Sequence, residues 1–264
     1  MPVLLGTDFP IGLPLAYAGK VGATHFPTFL RSLTPDDDLF RPAPNPVEIG
    51  LHRPFYPTRP GGARRAHLEQ ALGLPFADLL RRCDRLTNAA CMFWTLGPQQ
   101  CGRAALAGWR DLILPSDVRL WPFDGPLETL IGEGFTVAET YPALAYRRLS
   151  LPRFAKSRQV SRAICAPTLL EWAHRTGAEI DPALAVRLTE GFPATAGADN
   201  AFDATVGLLH MLALLRGLLP MVEPERGPAL MAEGWMLGLD PPTPIPPSAG
   251  SSDAARSRSR PSAG

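Results

Sequence analysis

The chain has 264 residues, 45% of them hydrophobic, and a formal net charge of +1 at pH 7. That is enough to bury a sizeable core in one large domain or two small ones, and no global field announces a polyanionic partner. No apolar run reaches bilayer-spanning length, and the N-terminus lacks a basic-then-apolar signal, so a cytoplasmic protein without membrane partners is expected. The basic residues are nearly all arginine; the lysines are Lys20 and Lys156. Cys83, Cys91, Cys101 and Cys165 match no zinc spacing and read as buried free thiols.

In chain order, the apolar run Val3 to Thr7 reads as a buried strand that delivers Asp8, ahead of the Pro- and Gly-punctuated loop Phe9 to Pro14. Residues 34–65, rich in Pro, Gly, Arg and acids, read as a long irregular excursion over the surface with the character of a lid. Helical patterns follow over Ala66–Leu72, Pro75 to about Ala90, and from Pro98 onward. Val118–Phe123 and Phe135–Glu139 are strand candidates, and the second again ends in an acid, Glu139.

From Thr140 to Leu170 there is no acidic residue, while Arg147, Arg148, Arg153, Lys156, Arg158 and Arg162 all fall there. The stretch is either a solvated basic face or a phosphate-facing patch. A helical region kinked or broken at Pro167 runs to Gly177, and Asp181-Pro182 opens a short helix. The long helix that follows starts near Asp199, with Asp199 or Asn200 as its cap, and Gly217 with Pro220 stops it. Phe202, Val206, Leu209 and Leu212 or Ala213 share one face, and Asp199 and Asp203 stack on another. Like charges at that spacing repel unless a cation lies between them. Residues 231–239 read as a last short strand or turn, and 241–264 as a disordered tail.

Two acids at strand ends and two at a helix start suggest a convergent carboxylate cluster, which needs a cation to offset its repulsion. Mg²⁺ or Mn²⁺ with phosphate oxygens is the usual hard-ligand solution, and such a site hydrolyses phosphodiesters. His210 lies seven residues beyond Asp203, either in the core or near a metal-bound water. His25, His52, His67 and His174 form no ligand-spaced pair, and there is no Walker loop, dinucleotide fingerprint or nucleophile elbow.

The order and spacing of Asp8-Phe9-Pro10-Ile11-Gly12-Leu13-Pro14, Glu139-Thr140-Tyr141-Pro142, Lys156 with Arg158 and Arg162, and Asp199-Asn200-Ala201-Phe202-Asp203 carry a resemblance. The chain resembles a domain-of-unknown-function family of predicted nucleases with an RNase H-like fold, and Glu233-Gly234-Trp235-Met236 is similar to that family's C-terminal stretch. The resemblance implies an α/β protein, a mixed sheet flanked by helices, spanning residues 1–240. It further implies a divalent-metal nuclease with Asp8, Glu139 and Asp203 as catalytic metal ligands and Asp199 as an auxiliary one. Lys156, Arg158 and Arg162 would contact the phosphates of a nucleic-acid substrate.

Family members usually begin with a strand carrying a first acid, then two more strands, before the segment that here starts at Asp8. The front of the sheet is therefore expected to be missing, through a late-assigned start or a truncated, inactive form. Val3–Thr7 should then stand at a sheet edge. The competing expectation is a non-catalytic RNase H-like module that binds nucleic acid or protein and has lost a metal ligand.

Overall fold

The computed structural model describes residues 2–59, 62–97, 100–132, 134–195 and 197–242. Three strands, β1 (Val3–Thr7), β2 (Arg119–Trp121) and β3 (Phe135–Glu139), form a parallel sheet in the order β1-β3-β2. All pairings are parallel, with Thr7 opposite Glu139 and Trp121 opposite Ala138. Among the described residues β1 pairs with β3 alone, so it stands at an edge as expected, and Val3 there is exposed.

The helices are α1 (Leu15–Val21), α2 (Phe26–Arg31), α3 (Arg65–Leu72), α4 (Arg82–Thr87), α5 (Cys101–Ala107) and α6 (Leu127–Leu130). They continue with α7 (Pro142–Arg148), α8 (Gln159–Ala163), α9 (Ala166–Thr176), α10 (Pro182–Glu190), α11 (Ala198–Leu215) and α12 (Pro228–Glu233). The chain is thus α/β, a small parallel sheet flanked by helices.

The two-residue period of the strands separates two cores. Leu5, Leu120 and Val137 pack into a large aromatic core with Phe26, Phe55 and Trp109. Leu4, Trp121 and Ala138 face a second one with Met211, Trp235 and Leu237. A third cluster lies away from the sheet, where Phe202, Val206, Leu209 and Ala213 of α11 meet Leu169 and Trp172 of α9. Each fully buried residue of that stripe contributes roughly 1.5–3 kcal/mol. Gly6 lets α11 lie close to the sheet: a Cβ there would fall 2.4 Å from the Met211 sulfur.

Several expectations change. The stretch Pro75 to Ala90 is not one helix: a 3₁₀ turn over Phe76–Leu79 is followed by an extended Leu80 and then α4. Its apolar spacing is helical, but Arg81 starts a new helix because the Asp84 carboxylate accepts the Arg81 backbone N–H. Residues 34–65 are irregular yet not a surface lid, since Leu39, Phe40, Phe55 and Tyr56 are all buried in the large core. Of the break or kink expected at Pro167, it is the break that occurs: α8 ends at Ala163 and Pro167 lies in the first turn of α9. Neither Asp199 nor Asn200 caps α11; Gly197, in the left-handed region, holds the cap position, and no side chain caps there. The stretch expected as a last strand or turn folds partly into α12 and then turns at Leu237 and Gly238, after Met236 makes a single bridge to Glu139. Of the tail, residues 243–264 lie outside the described residues.

Candidate functional site

Parallel strands deliver their carboxyl ends to one edge, so Asp8 after β1 and Glu139 at the end of β3 emerge side by side. The loop after Asp8 then folds back over that edge. Its Ile11 N–H donates to Glu139 Oε2 at 2.7 Å, and Trp109 Nε1 donates to the Pro10 carbonyl at 2.7 Å. Gly12 sits at φ +133°, and a Cβ there would lie 2.1 Å from the Glu233 carbonyl oxygen. Only glycine allows the loop to lie this close to the end of α12.

Beneath the loop is Arg81, with its side chain fully buried. Its guanidinium fork faces two carboxylates at once. Nη1 and Nη2 donate to Glu139 Oε2 and Oε1 at 2.6 and 2.7 Å. Nε and Nη2 donate to Asp84 Oδ2 and Oδ1 at 3.0 and 2.8 Å. Burial pushes the Glu139 carboxyl above its ordinary range, opposed by Arg81 and the Ile11 N–H. The guanidinium remains protonated. Glu139 therefore has both oxygens committed to arginine.

A second group lies at the start of α11. Tyr146 of α7 donates its hydroxyl to Asp203 Oδ1, and Lys156 pairs its ammonium with Asp203 Oδ2. The same ammonium is 3.9 Å from Asp199 Oδ2. Here is the cation that the spacing of the two aspartates requires. Burial lifts the Asp203 carboxyl, while the hydrogen bonds from Lys156 and Tyr146 pull it down. Burial and Asp203 together raise the Tyr146 phenol, so it stays a donor.

Asp8 differs from all of these. Among the described residues its carboxylate has no hydrogen bond or ion pair. It opens onto a cavity of about 590 Å³ whose walls also include Arg81, Glu139, Tyr146, Lys156 and Asp199. Although the residue is exposed at the mouth of the cavity, the surrounding walls desolvate its carboxyl. That crowding, reinforced by Asp203 and Glu139 and opposed by Lys156, pushes its carboxyl up to about 7.

The cavity thus joins Asp8, Glu139, Asp199 and Lys156, with Asp203 just behind Lys156 and Tyr146. It does not gather the other expected phosphate contacts. Arg158 is exposed at the cap position of α8 and is not part of the cavity wall. Arg162 is buried, and its guanidinium donates to the carbonyls of Gly191, Phe192, Pro193 and Lys156. It braces the loop that carries Lys156 instead of facing a substrate. His210 is in the core with neither ring nitrogen paired, and burial together with Arg148 depresses it to about 4. It is a neutral core histidine. All four cysteines are free, and burial pushes the cavity-lining Cys101 thiol up to about 12, so no thiolate nucleophile is available.

Sequence reasoning missed Arg81, Asp84 and Tyr146. The signal for the first two was the Arg81-x-x-Asp84 spacing inside a presumed continuous helix, whose acid sits where a capping box requires it. Nothing local marks Tyr146, which meets its partner 57 residues away.

Among the described residues no group of three or more His, Cys, Asp or Glu side chains is arranged to hold a metal ion. Asp8, Asp203 and Asp199 offer carboxylate oxygens, the donor type that a hard divalent cation takes. Among the described residues Asp8 has no hydrogen bond or ion pair, and the cation facing Asp203 and Asp199 is one half-exposed lysine. Mg²⁺ is commonly held by one or two carboxylates, with water and substrate phosphates completing its shell. Glu139 does not fit, because Arg81 occupies it.

Fold and site together define an α/β chain with an acidic, lysine-bearing cleft at the carboxyl ends of parallel strands. No family model, curated protein or solved structure matches it. Among the described residues no helix is long and apolar enough to cross a membrane.

Proposed function

We propose that the chain is an RNase H-like, divalent-metal-dependent hydrolase of nucleic-acid phosphodiesters. The observation that carries this reading is Asp8, without a hydrogen bond or ion pair among the described residues, beside Asp203 in a cleft that also holds Lys156. Asp8 and Asp203 would hold the cation, with Asp199 assisting, and Glu139 is reassigned from ligand to anchor of the Asp8 loop through Ile11. The bound cation would activate water and stabilise charge on the phosphate.

The chain's own groups divide the remaining work. The Lys156 ammonium, released from Asp203, binds a non-bridging phosphate oxygen. The Tyr146 hydroxyl keeps Asp203 Oδ1 oriented while Lys156 is away. The Arg81 fork fixes Glu139, and hence the backbone that aims Asp8 into the cleft.

The test is cleavage of a labelled single-stranded oligonucleotide with Mg²⁺ or Mn²⁺ and with chelator. Cleavage should require the metal and fall by at least about 100-fold in Asp8→Asn and in Asp203→Asn. Metal-independent cleavage, or unchanged rates in both variants, would overturn it.

A second reading has its own support. Lys156 already pairs with Asp203 and Asp199, and Arg81 with Glu139, so each of these carboxylates has a cationic partner within the chain. That favours a non-catalytic module, for which no cleavage is expected under any metal condition.

A further inference from the structure

A second cavity of about 560 Å³ adjoins the acidic cleft. The two share Asp84, Asn88, Ala89 and Ala90 as a common wall, so they lie side by side. The far end of the second has a different chemistry. Phe76, in the 3₁₀ turn before α4, carries the Arg65 guanidinium stacked over its ring at 4.5 Å. Among the described residues Arg65 has no carboxylate partner, so a planar cation lies exposed on an aromatic face. Trp94 lines the same cavity, half-buried, its back braced by Tyr56 at 4.6 Å between ring centroids. Between these and the cleft stands Asn88, exposed, held by the left-handed end of α4, and its amide is unpartnered among the described residues.

Planar cations and aromatic rings are what unpaired bases stack on, and an in-plane amide offers both a donor and an acceptor to a base edge. A carbohydrate platform would need an open ring face, whereas Arg65 covers Phe76. We infer that this second cavity is a nucleobase subsite: a base of single-stranded nucleic acid stacks between Arg65–Phe76 and Trp94 while its strand runs on into the acidic cleft. A base held in a duplex cannot enter such a slot, so the substrate class narrows to single strands or unpaired segments. The inference rests on the hydrolase reading only for the destination of the neighbouring phosphate.

The experiment measures binding, not cleavage. Fluorescence anisotropy of the full chain in chelator compares a labelled short oligothymidylate with an abasic oligomer of the same length and charge. The oligothymidylate should bind about tenfold tighter or better, the equivalent of one stacked base. Phe76→Leu, which keeps an apolar side chain, should erase most of that difference and leave abasic binding unchanged, while Arg65→Ala, which also removes a cation, should narrow the difference between the two oligomers. Far-UV circular dichroism confirms that both variants are folded. Equal affinity for the two oligomers, no binding of either, or variants that weaken both alike would overturn the inference. Base-dependent binding by a chain that cleaves nothing keeps the subsite and removes the hydrolase reading. Metal-dependent cleavage without base preference does the reverse.

Discussion

Two acidic clusters border one cleft, and they are neutralised in opposite ways. Around Arg81, side-chain exposures are 0% for the arginine, 1% for Asp84 and 4% for Glu139, and the guanidinium grips each carboxylate through a two-pronged fork. Around Lys156, the lysine is 41% exposed and the Asp203 it serves 7%. An arginine cannot lose its proton and its planar fork fixes geometry, whereas a lysine on a flexible stem can leave its partner at small cost. The first cluster is architecture, locking the Asp8 loop to the end of β3. The second is exchangeable, and under the proposed function it is the one that would make room for a cation or turn toward a phosphate.

Breaking each cluster should expose this difference. Arg81→Met strands two buried carboxylates, and a loss of about 3–5 kcal/mol in denaturant-derived stability is expected. A loss no larger than that of a surface substitution would mean the knot is not structural. Lys156→Met should cost less, about 1–3 kcal/mol, because Tyr146 still donates to Asp203 and water reaches the site. Part of that loss should return as pH falls, since an Asp203 carboxyl already lifted by burial takes up a proton more readily once its cation is gone. Gly12→Ala, which forces a Cβ against the Glu233 carbonyl, should cost more than about 1 kcal/mol and loosen the loop at its Ile11 tie to Glu139 while leaving the Lys156 cluster in place.

The smallest effect is the most specific. Asp8 has a carboxyl raised to about 7 from an ordinary 3.8, so between those values the folded chain binds a proton that the unfolded chain does not. Stability in chelator should therefore rise as pH falls from 8 toward 5, and the ionised carboxylate is a burden above pH 7. Asp8→Asn removes that burden: its melting temperature should exceed the wild type's at pH 8, with the gap closing by pH 5. A gap that widens on acidification would show that Asp8 is favourably paired after all.

Much of the scaffold was readable before any coordinates. β3 spans the Phe135–Glu139 predicted for it and β1 the Val3–Thr7, because each is a short apolar run closed by a carboxylate and a proline-bearing turn. The buried stripe of α11 followed from helical spacing. What escaped was long-range. Arg81 meets Glu139 across 58 residues, and in a sequence it looks like one more surface arginine on a helix. The same blindness made Arg162 look like a phosphate ligand and Glu139 like a metal ligand: charge is visible in a sequence, but its partner is not.

The central claim is that Asp8 and Asp203 form the cation site. Titration calorimetry with Mn²⁺ at pH 8, where Asp8 is ionised, tests it directly. The account predicts a single saturable binding heat in the wild type that disappears in Asp8→Asn and in Asp203→Asn while both variants remain folded. No heat in the wild type, or the same heat in both variants, would contradict it.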